Sequence, residues 1–228
     1  MPVDLHLFST PGEQDIEWIV DACRPYLEGK SDPTIAYLPL ASLYEEKMTE
    51  PTEKAFRGLA HIETVNTEIM EPAQIESILR RAAVAYIPGG NTFLLNHRLH
   101  ISHLLPHFRK KLEAGLPLVA FSAGTILCGP NILTGNDLNM VPTPHFDGLN
   151  LTPFNFSTHY VDDVQRDNWL FEYQVFHGNP LLLLEDGAYI RIQGKVCTLV
   201  RGQAWIWRAG QEKEHLKAGI EIRSWPQA

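Results

Sequence analysis

The stretch Leu116-Pro-Leu-Val-Ala-Phe-Ser-Ala-Gly-Thr-Ile-Leu-Cys-Gly129 changes character at Ser122. Five of the six residues before the serine are apolar and none is charged, the composition of a strand covered on both faces of a parallel sheet. Ala123 and Gly124 then allow a sharp turn, and Thr125 to Cys128 can open a helix whose first amides have no partner inside it. A serine at that point stands clear of the strand and faces a helix N-terminus, the arrangement of a nucleophile elbow. The usual elbow is Gly-x-Ser-x-Gly, and Ala120 replaces the first glycine here. Ser-Ala-Gly also serves as a plain strand-to-helix turn, so these residues alone leave both readings open.

Length and charge limit what the elbow can belong to. A chain of 228 residues is expected to form one α/β domain over 1–228 that buries about 70% of its unfolded surface. A formal charge of -8 with no dense Lys/Arg run argues against a nucleic-acid groove. Arg109-Lys110-Lys111 reads as the solvated end of a helix. Cys23, Cys128 and Cys197 are odd in number and widely spaced, which fits a reducing compartment and no metal site. No basic segment precedes an apolar core at the N-terminus, and no apolar run is of membrane-spanning length. The expectation is a cytoplasmic protein without membrane or nucleic-acid partners.

Strand and helix patterns alternate from the start, which predicts a mostly parallel central sheet with helices on both faces. Strands are expected at Val3 to Phe8, Thr34 to Leu38, Ile62 to Ile69 and Ala83 to Ile87. Helices are expected at Ile16 to Leu27 after a Pro11-Gly12 turn, at Tyr44 to Ala60, Glu71 to Arg81, Thr92 to Leu99 and Leu104 to Ala114. Asn131 to Pro144, rich in Gly, Pro, Asn and Asp, reads as a long functional loop. Leu149 to Thr158 is expected to be extended and to deliver His159, with a helix from Trp169 to Phe176. Short strands follow at Leu181 to Leu184, Tyr189 to Ile192, Lys195 to Val200 and Ala204 to Trp207, with hairpin residues at Asp186-Gly187, Gln193-Gly194 and Arg201-Gly202.

Ligand sites of open α/β sheets lie at strand ends. Gly89-Gly90-Asn91 ends one strand, and with Ala123 its amides could form an oxyanion hole; Gly-Gly can equally be a turn. Among ten histidines, His159 alone ends an extended apolar segment downstream of the serine. His6, His61, His97, His100, His103, His107 and His215 fit exposed positions, while His145 and His177 stay open. Candidates for the carboxylate that orients the histidine are Asp137, Asp162, Asp163, Glu185 and Asp186, the last favoured by its place after a strand.

Four segments in order resemble the peptidase E family, also called dipeptidase E or alpha-aspartyl dipeptidase, serine peptidases on a class I glutamine amidotransferase-like fold. They are Pro88-Gly-Gly-Asn-Thr-Phe93, Phe121-Ser-Ala-Gly124, Asn136-Asp137, and Phe146-Asp-Gly-Leu-Asn-Leu151 running on to His159. Leu184-Glu-Asp-Gly187 stands where the family usually has Leu-Pro-Glu-Gly. The resemblance covers most of the chain and implies a three-layer α/β/α sandwich with C-terminal β-hairpins. It implies Ser122 as nucleophile, His159 as base, Asp186 in place of an orienting glutamate, and Gly90 and Ala123 as oxyanion donors. Asn91, Asp137 and Arg166 are the substrate-binding candidates. Short peptides are the implied substrates, no cofactor is implied, and monomer and homodimer both remain open. Asp186 is one methylene shorter than glutamate, so a small backbone shift is expected to restore its contact.

Arg166 stands where an arginine of the aspartyl-specific members reads the substrate's acidic side chain. Its connection to His159 is shorter here, and Asp162, Asp163 and Asp167 lie within four residues of it. These carboxylates are expected to neutralise Arg166, so that neutral N-terminal residues are cleaved at least as well as aspartate. Hydrolysis of another amide or ester, and a binding protein with a vestigial serine, are the alternatives.

Overall fold

Residues 2–10 and 16–222 are described by the structure, a computed structural model; the expected Pro11-Gly12 turn lies outside them. The described elements run β1 (Asp4–Phe8), α1 (Ile16–Leu27), β2 (Thr34–Tyr37), α2 (Glu45–Ala55), β3 (His61–Thr64), α3 (Pro72–Arg81), β4 (Val84–Ile87), α4 (Thr92–Ile101), α5 (Leu104–Glu113), β5 (Leu118–Phe121) and α6 (Ala123–Leu127). They continue as β6 (Asn155–Ser157), α7 (Val164–His177), β7 (Leu181–Leu184), β8 (Tyr189–Gln193), β9 (Val196–Arg201), β10 (Ala204–Trp207), β11 (Glu214–Leu216) and β12 (Glu221–Ile222).

The central sheet has the order β12-β9-β8-β1-β5-β4-β2-β3. Pairings from β1 through β5, β4 and β2 to β3 are parallel; those from β1 through β8 and β9 to β12 are antiparallel. Side chains alternate between two cores, as the two-residue period of a strand requires. Leu5, Leu7, Ala85, Ile87, Leu118 and Ala120 pack with residues of α3, α4, α5 and α6. Phe8, Ile35, Tyr37, Val84, Tyr86 and Val119 pack with Ile19, Val20, Cys23 and Leu27 of α1 and with Phe56. Each large apolar side chain buried this way stabilises the fold by roughly 1.5–3 kcal/mol. The result is the three-layer sandwich of the class I glutamine amidotransferase-like fold.

The C-terminal third departs from a run of hairpins. A second sheet, β11-β10-β7-β6, stands beside the first, with α7 packed on it through Leu170, Tyr173, Leu181 and Leu183. Of the three Gly turns, only Gln193-Gly194 closes a hairpin, between β8 and β9. Asp186-Gly187 and Arg201-Gly202 instead carry the chain from one sheet to the other. The two crossings touch: a Cβ on Gly202 would lie 2.6 Å from Ala188 Cα, so only glycine fits there.

Leu149 to Thr158 is a strand only at Asn155–Ser157. The amides of Leu149, Asn150 and Leu151 donate to the carbonyls of Leu127, Gly129 and Cys128, satisfying the end of α6 rather than a sheet. The last helix begins earlier than expected because Asp163 caps it, its carboxylate accepting from the Arg166 amide at 2.9 Å. His6 is also corrected: it is 3% exposed, since strand β1 is covered by α1 on the side the histidine faces.

Candidate active site

Four segments meet at the C-terminal edge of the parallel strands. Ser122 follows β5 with φ 48° and ψ −111°, a conformation that costs an L-residue on the order of 1–3 kcal/mol. The turn is held by its surroundings. The Ser122 amide donates to Phe8 O at 3.0 Å, the Ile126 amide to Ser122 O at 3.0 Å, and Thr125 Oγ1 to Phe8 O at 2.8 Å. A Cβ on Gly124 would lie 2.8 Å from Ile87 Cγ2, so the glycine lets α6 close on the sheet.

His159 follows β6 with φ 52°. Its Nε2 lies 2.8 Å from Ser122 Oγ, and its Nδ1 lies 2.8 Å from Asp186 Oδ1. A carboxylate can only accept, so Nδ1 carries the proton and Nε2 accepts from the serine hydroxyl. Asp186 reaches the ring because it sits on the crossing between β7 and β8, and its shorter side chain makes the contact. Asp137 is elsewhere: its Oδ2 accepts from the Thr92 amide at 2.7 Å and from Thr92 Oγ1 at 2.5 Å, at the positive end of α4.

The glycine loop lies against the serine turn. A Cβ on Gly89 would fall 2.5 Å from Phe121 Cε2 and 3.2 Å from Ser122 Cβ. Gly90 has φ 138°, and a Cβ there would meet Ala41 O at 2.4 Å. Ala41 is itself fixed, since its carbonyl accepts from the Asn91 amide at 2.8 Å and Arg98 Nη1 donates to the flanking Leu40 and Ser42 carbonyls. Ala123 opens α6, so its amide has no acceptor within the helix. Asn91, a substrate-binding candidate, already has a structural task. Its Oδ1 accepts from the Leu94 amide and its Nδ2 donates to Leu138 O, both at 2.9 Å, so it caps α4 and ties down the 131–144 loop.

Comparison with known proteins follows the same lines. The model of Peptidase family S51 matches residues 7–200. The chain belongs to this family. It is 33% identical over 177 residues to the Drosophila melanogaster protein named "Probable alpha-aspartyl dipeptidase", covering 73% of this chain and 72% of that one. It is 28% identical over 214 residues to peptidase E of Nostoc sp., covering 89% and 87%. The crystal structure of a peptidase from an acI-B1 Actinobacterium superposes with a TM-score of 0.75 at 15% identity, over 97% of both chains, a likeness of fold. As an S51 member the protein is a serine-type peptidase.

Arg166 departs from expectation. Asp162 and Asp167 do not neutralise it; both pair with Lys213, which also donates to Tyr160 Oη at 2.7 Å. Burial disfavours the Lys213 ammonium, but its hydrogen bonds to Asp162, Asp167 and Tyr160 outweigh that and raise its pKa. Asp163 is committed to the helix cap. Arg166 itself donates to Ser157 Oγ at 2.6 Å and Thr134 O at 3.3 Å and lies over the Trp169 ring at 4.4 Å. No carboxylate among the described residues forms an ion pair with it. Burial lowers its pKa, while the charges of Asp163 and Tyr160 act the other way. Arg166 thus lies without a direct ion pair among the described residues, with Asp163 its nearby negative charge, beside the loop and strand that lead to His159.

Sequence pattern offers no cue to Lys213, which is distant in the chain from every partner. Ser9 and Thr92 carry one cue each: Ser9 follows an apolar strand directly, and Thr92 follows the glycine loop. Among the described residues, no His/Cys/Asp/Glu group is arranged to hold a metal ion, and no helix is long and apolar enough to cross a membrane.

Proposed function

We propose that this S51 peptidase is a dipeptidase in which Ser122, His159 and Asp186 act as a triad. The observation that supports this most is the continuous relay from Ser122 Oγ through the His159 ring to Asp186 Oδ1, each link 2.8 Å, built on two strained residues. Ser122 Oγ attacks the scissile carbonyl carbon as its proton passes to His159 Nε2. Amides of Gly90 and Ala123 stabilise the resulting oxyanion. The C–N bond then breaks, the leaving amine takes the proton from Nε2, and an acyl ester on Ser122 remains. Water attacks that ester, giving its proton to Nε2, and the serine leaves with it. Asp186 keeps Nδ1 protonated and faces the imidazolium as it forms.

For the substrate, Arg166 supports reading of an acidic N-terminal side chain, because a guanidinium without a carboxylate partner suits bidentate pairing. This reverses the expectation drawn from the local aspartates. The buried free thiols of Cys23, Cys128 and Cys197 support a reducing compartment such as the cytoplasm. Turnover of Asp-Leu, Ala-Leu and Leu-Leu dipeptides, with an aryl ester beside them, tests the reading. Asp-Leu is expected to be cleaved best, and Arg166→Ala to erase at least a tenfold preference. Ester cleavage without dipeptide cleavage, or no labelling of Ser122 by a fluorophosphonate, would overturn it.

A further inference from the structure

We infer that Ser9 is a positioning residue for the triad, an inference that rests on Ser122 and His159 acting as proposed. Ser9 is fully buried and follows β1 at the centre of the main sheet. Its Oγ accepts from the His159 amide at 2.9 Å and donates to Leu184 O at 3.0 Å. Its own amide donates to Ala188 O at 3.0 Å. The residue before it, Phe8, supplies the carbonyl that takes the Ser122 amide and the Thr125 hydroxyl. Two adjacent residues therefore touch every segment that holds a triad member: the serine turn, the histidine, and both sides of the Glu185–Gly187 crossing that carries Asp186.

The chemistry of the contact is specific. His159 sits at φ 52°, where a non-glycine residue is retained only if its surroundings hold it. Its amide donor is met by one hydroxyl, that of the fully buried Ser9, and removing that oxygen takes away the partner that holds the strained backbone. The ring's reach depends on this backbone, because a turn of φ swings Cβ and displaces Nε2 from Ser122. The hydroxyl also has both of its roles filled: one lone pair takes the histidine amide and the proton goes to Leu184 O. Leu184 O also accepts from the Tyr160 amide at 2.9 Å, so the carbonyl keeps a partner without Ser9. The loss falls on His159.

Ser9→Ala separates positioning from mere stability when rate constants are expressed per active site, counted by fluorophosphonate titration. The expected result is a full titration endpoint, kcat lower by roughly 10- to 100-fold, and KM within about threefold, since misplacement of a triad member acts on the reacting geometry. Ser9→Cys, nearly equal in volume but a weak acceptor, is expected to show the same split with a smaller loss, and it decides the matter if the alanine variant does not fold. Unreduced kcat per titrated site in a folded variant overturns the inference. So does a lower endpoint with normal kcat per site, the mark of a purely structural residue. Ser122→Ala runs alongside: if it still labels or turns over, the triad reading has failed independently of Ser9.

Discussion

Two histidines of this protein are hydrogen-bonded on both ring nitrogens between a hydroxyl and the route to a carboxylate, and only one stands at the candidate active site. His159 has Ser122 on Nε2 and Asp186 directly on Nδ1, with a third of its side chain exposed. His6 has Tyr189 Oη on Nδ1 at 2.6 Å and Tyr26 Oη on Nε2 at 2.7 Å, and Tyr26 in turn donates to Asp4 Oδ2 at 2.5 Å. With the Tyr26 proton committed to Asp4, Nε2 of His6 is the donor and Nδ1 accepts from Tyr189. Burial brings the His6 pKa down to about 4, with Asp4 pulling the other way. At His6 both ring nitrogens bond tyrosine hydroxyls and Asp4 Oδ1 stays 3.6 Å from Nε2, so burial outweighs the carboxylate and favours the neutral ring. At His159 the carboxylate bonds the ring itself, at an open edge.

The largest expected effect tests the chemical half of this contrast. Ser122→Ala and His159→Ala are each expected to lower dipeptide turnover by about 10⁴-fold or more, with melting temperature little changed. His6→Gln is expected to keep turnover per titrated site within a few-fold. A His6 variant that titrates fully yet is as inactive as His159→Ala would break the distinction.

Next in size is the exchange of carboxylates. Asp186→Asn is expected to cost about 10²- to 10⁴-fold in kcat, because an amide can hold the wrong tautomer and does not stabilise the imidazolium. Asp137→Asn should cost less, as its carboxylate serves Thr92. Asp4→Asn is expected to leave kcat per site unchanged and to lower stability by about 1–3 kcal/mol, since Arg191 and Tyr26 lose their shared acceptor. Steady-state kinetics and denaturant melts on the three variants separate these outcomes.

The last effect, with no change in turnover expected, is a pH dependence of stability. The unfolded chain takes up a proton on His6 near pH 6.5, whereas the folded chain resists until about pH 4. Below 6.5 the unfolded state therefore binds more protons, and stability falls with pH, by on the order of 3 kcal/mol at pH 4. Denaturation of the parent and His6→Gln between pH 7 and 4 should converge through that window. Parallel curves would show that His6 does not contribute the slope.

Local pattern carried the reading where local forces decide. Ser122-Ala-Gly124 is legible as a strand-to-helix turn, though only the wider resemblance made it a nucleophile turn, and β4 and β5 announced themselves as short apolar runs, whereas β3, expected at Ile62 to Ile69, is the mixed His61–Thr64. The carboxylate was less legible. Asp137 and Asp186 both follow plausible segments, and nothing in spacing says that one meets a helix start while the other meets His159. Lys213 draws Asp162 and Asp167 away from Arg166 from about fifty residues along the chain, which no local window can register.

What the amino-acid sequence determined by itself was the layered α/β plan, the serine on its turn, and the histidine at a strand end, because apolar periodicity and glycine placement act within a few residues. Which ring nitrogen meets which oxygen, which aspartates remain to offset Arg166, and which histidine is sealed from water were decided only when two sheets met along the Asp186–Gly187 and Arg201–Gly202 crossings. Hydrogen bonds and ion pairs reach only a few ångströms. Their partners are chosen by where the backbone has been carried, not by distance along the chain.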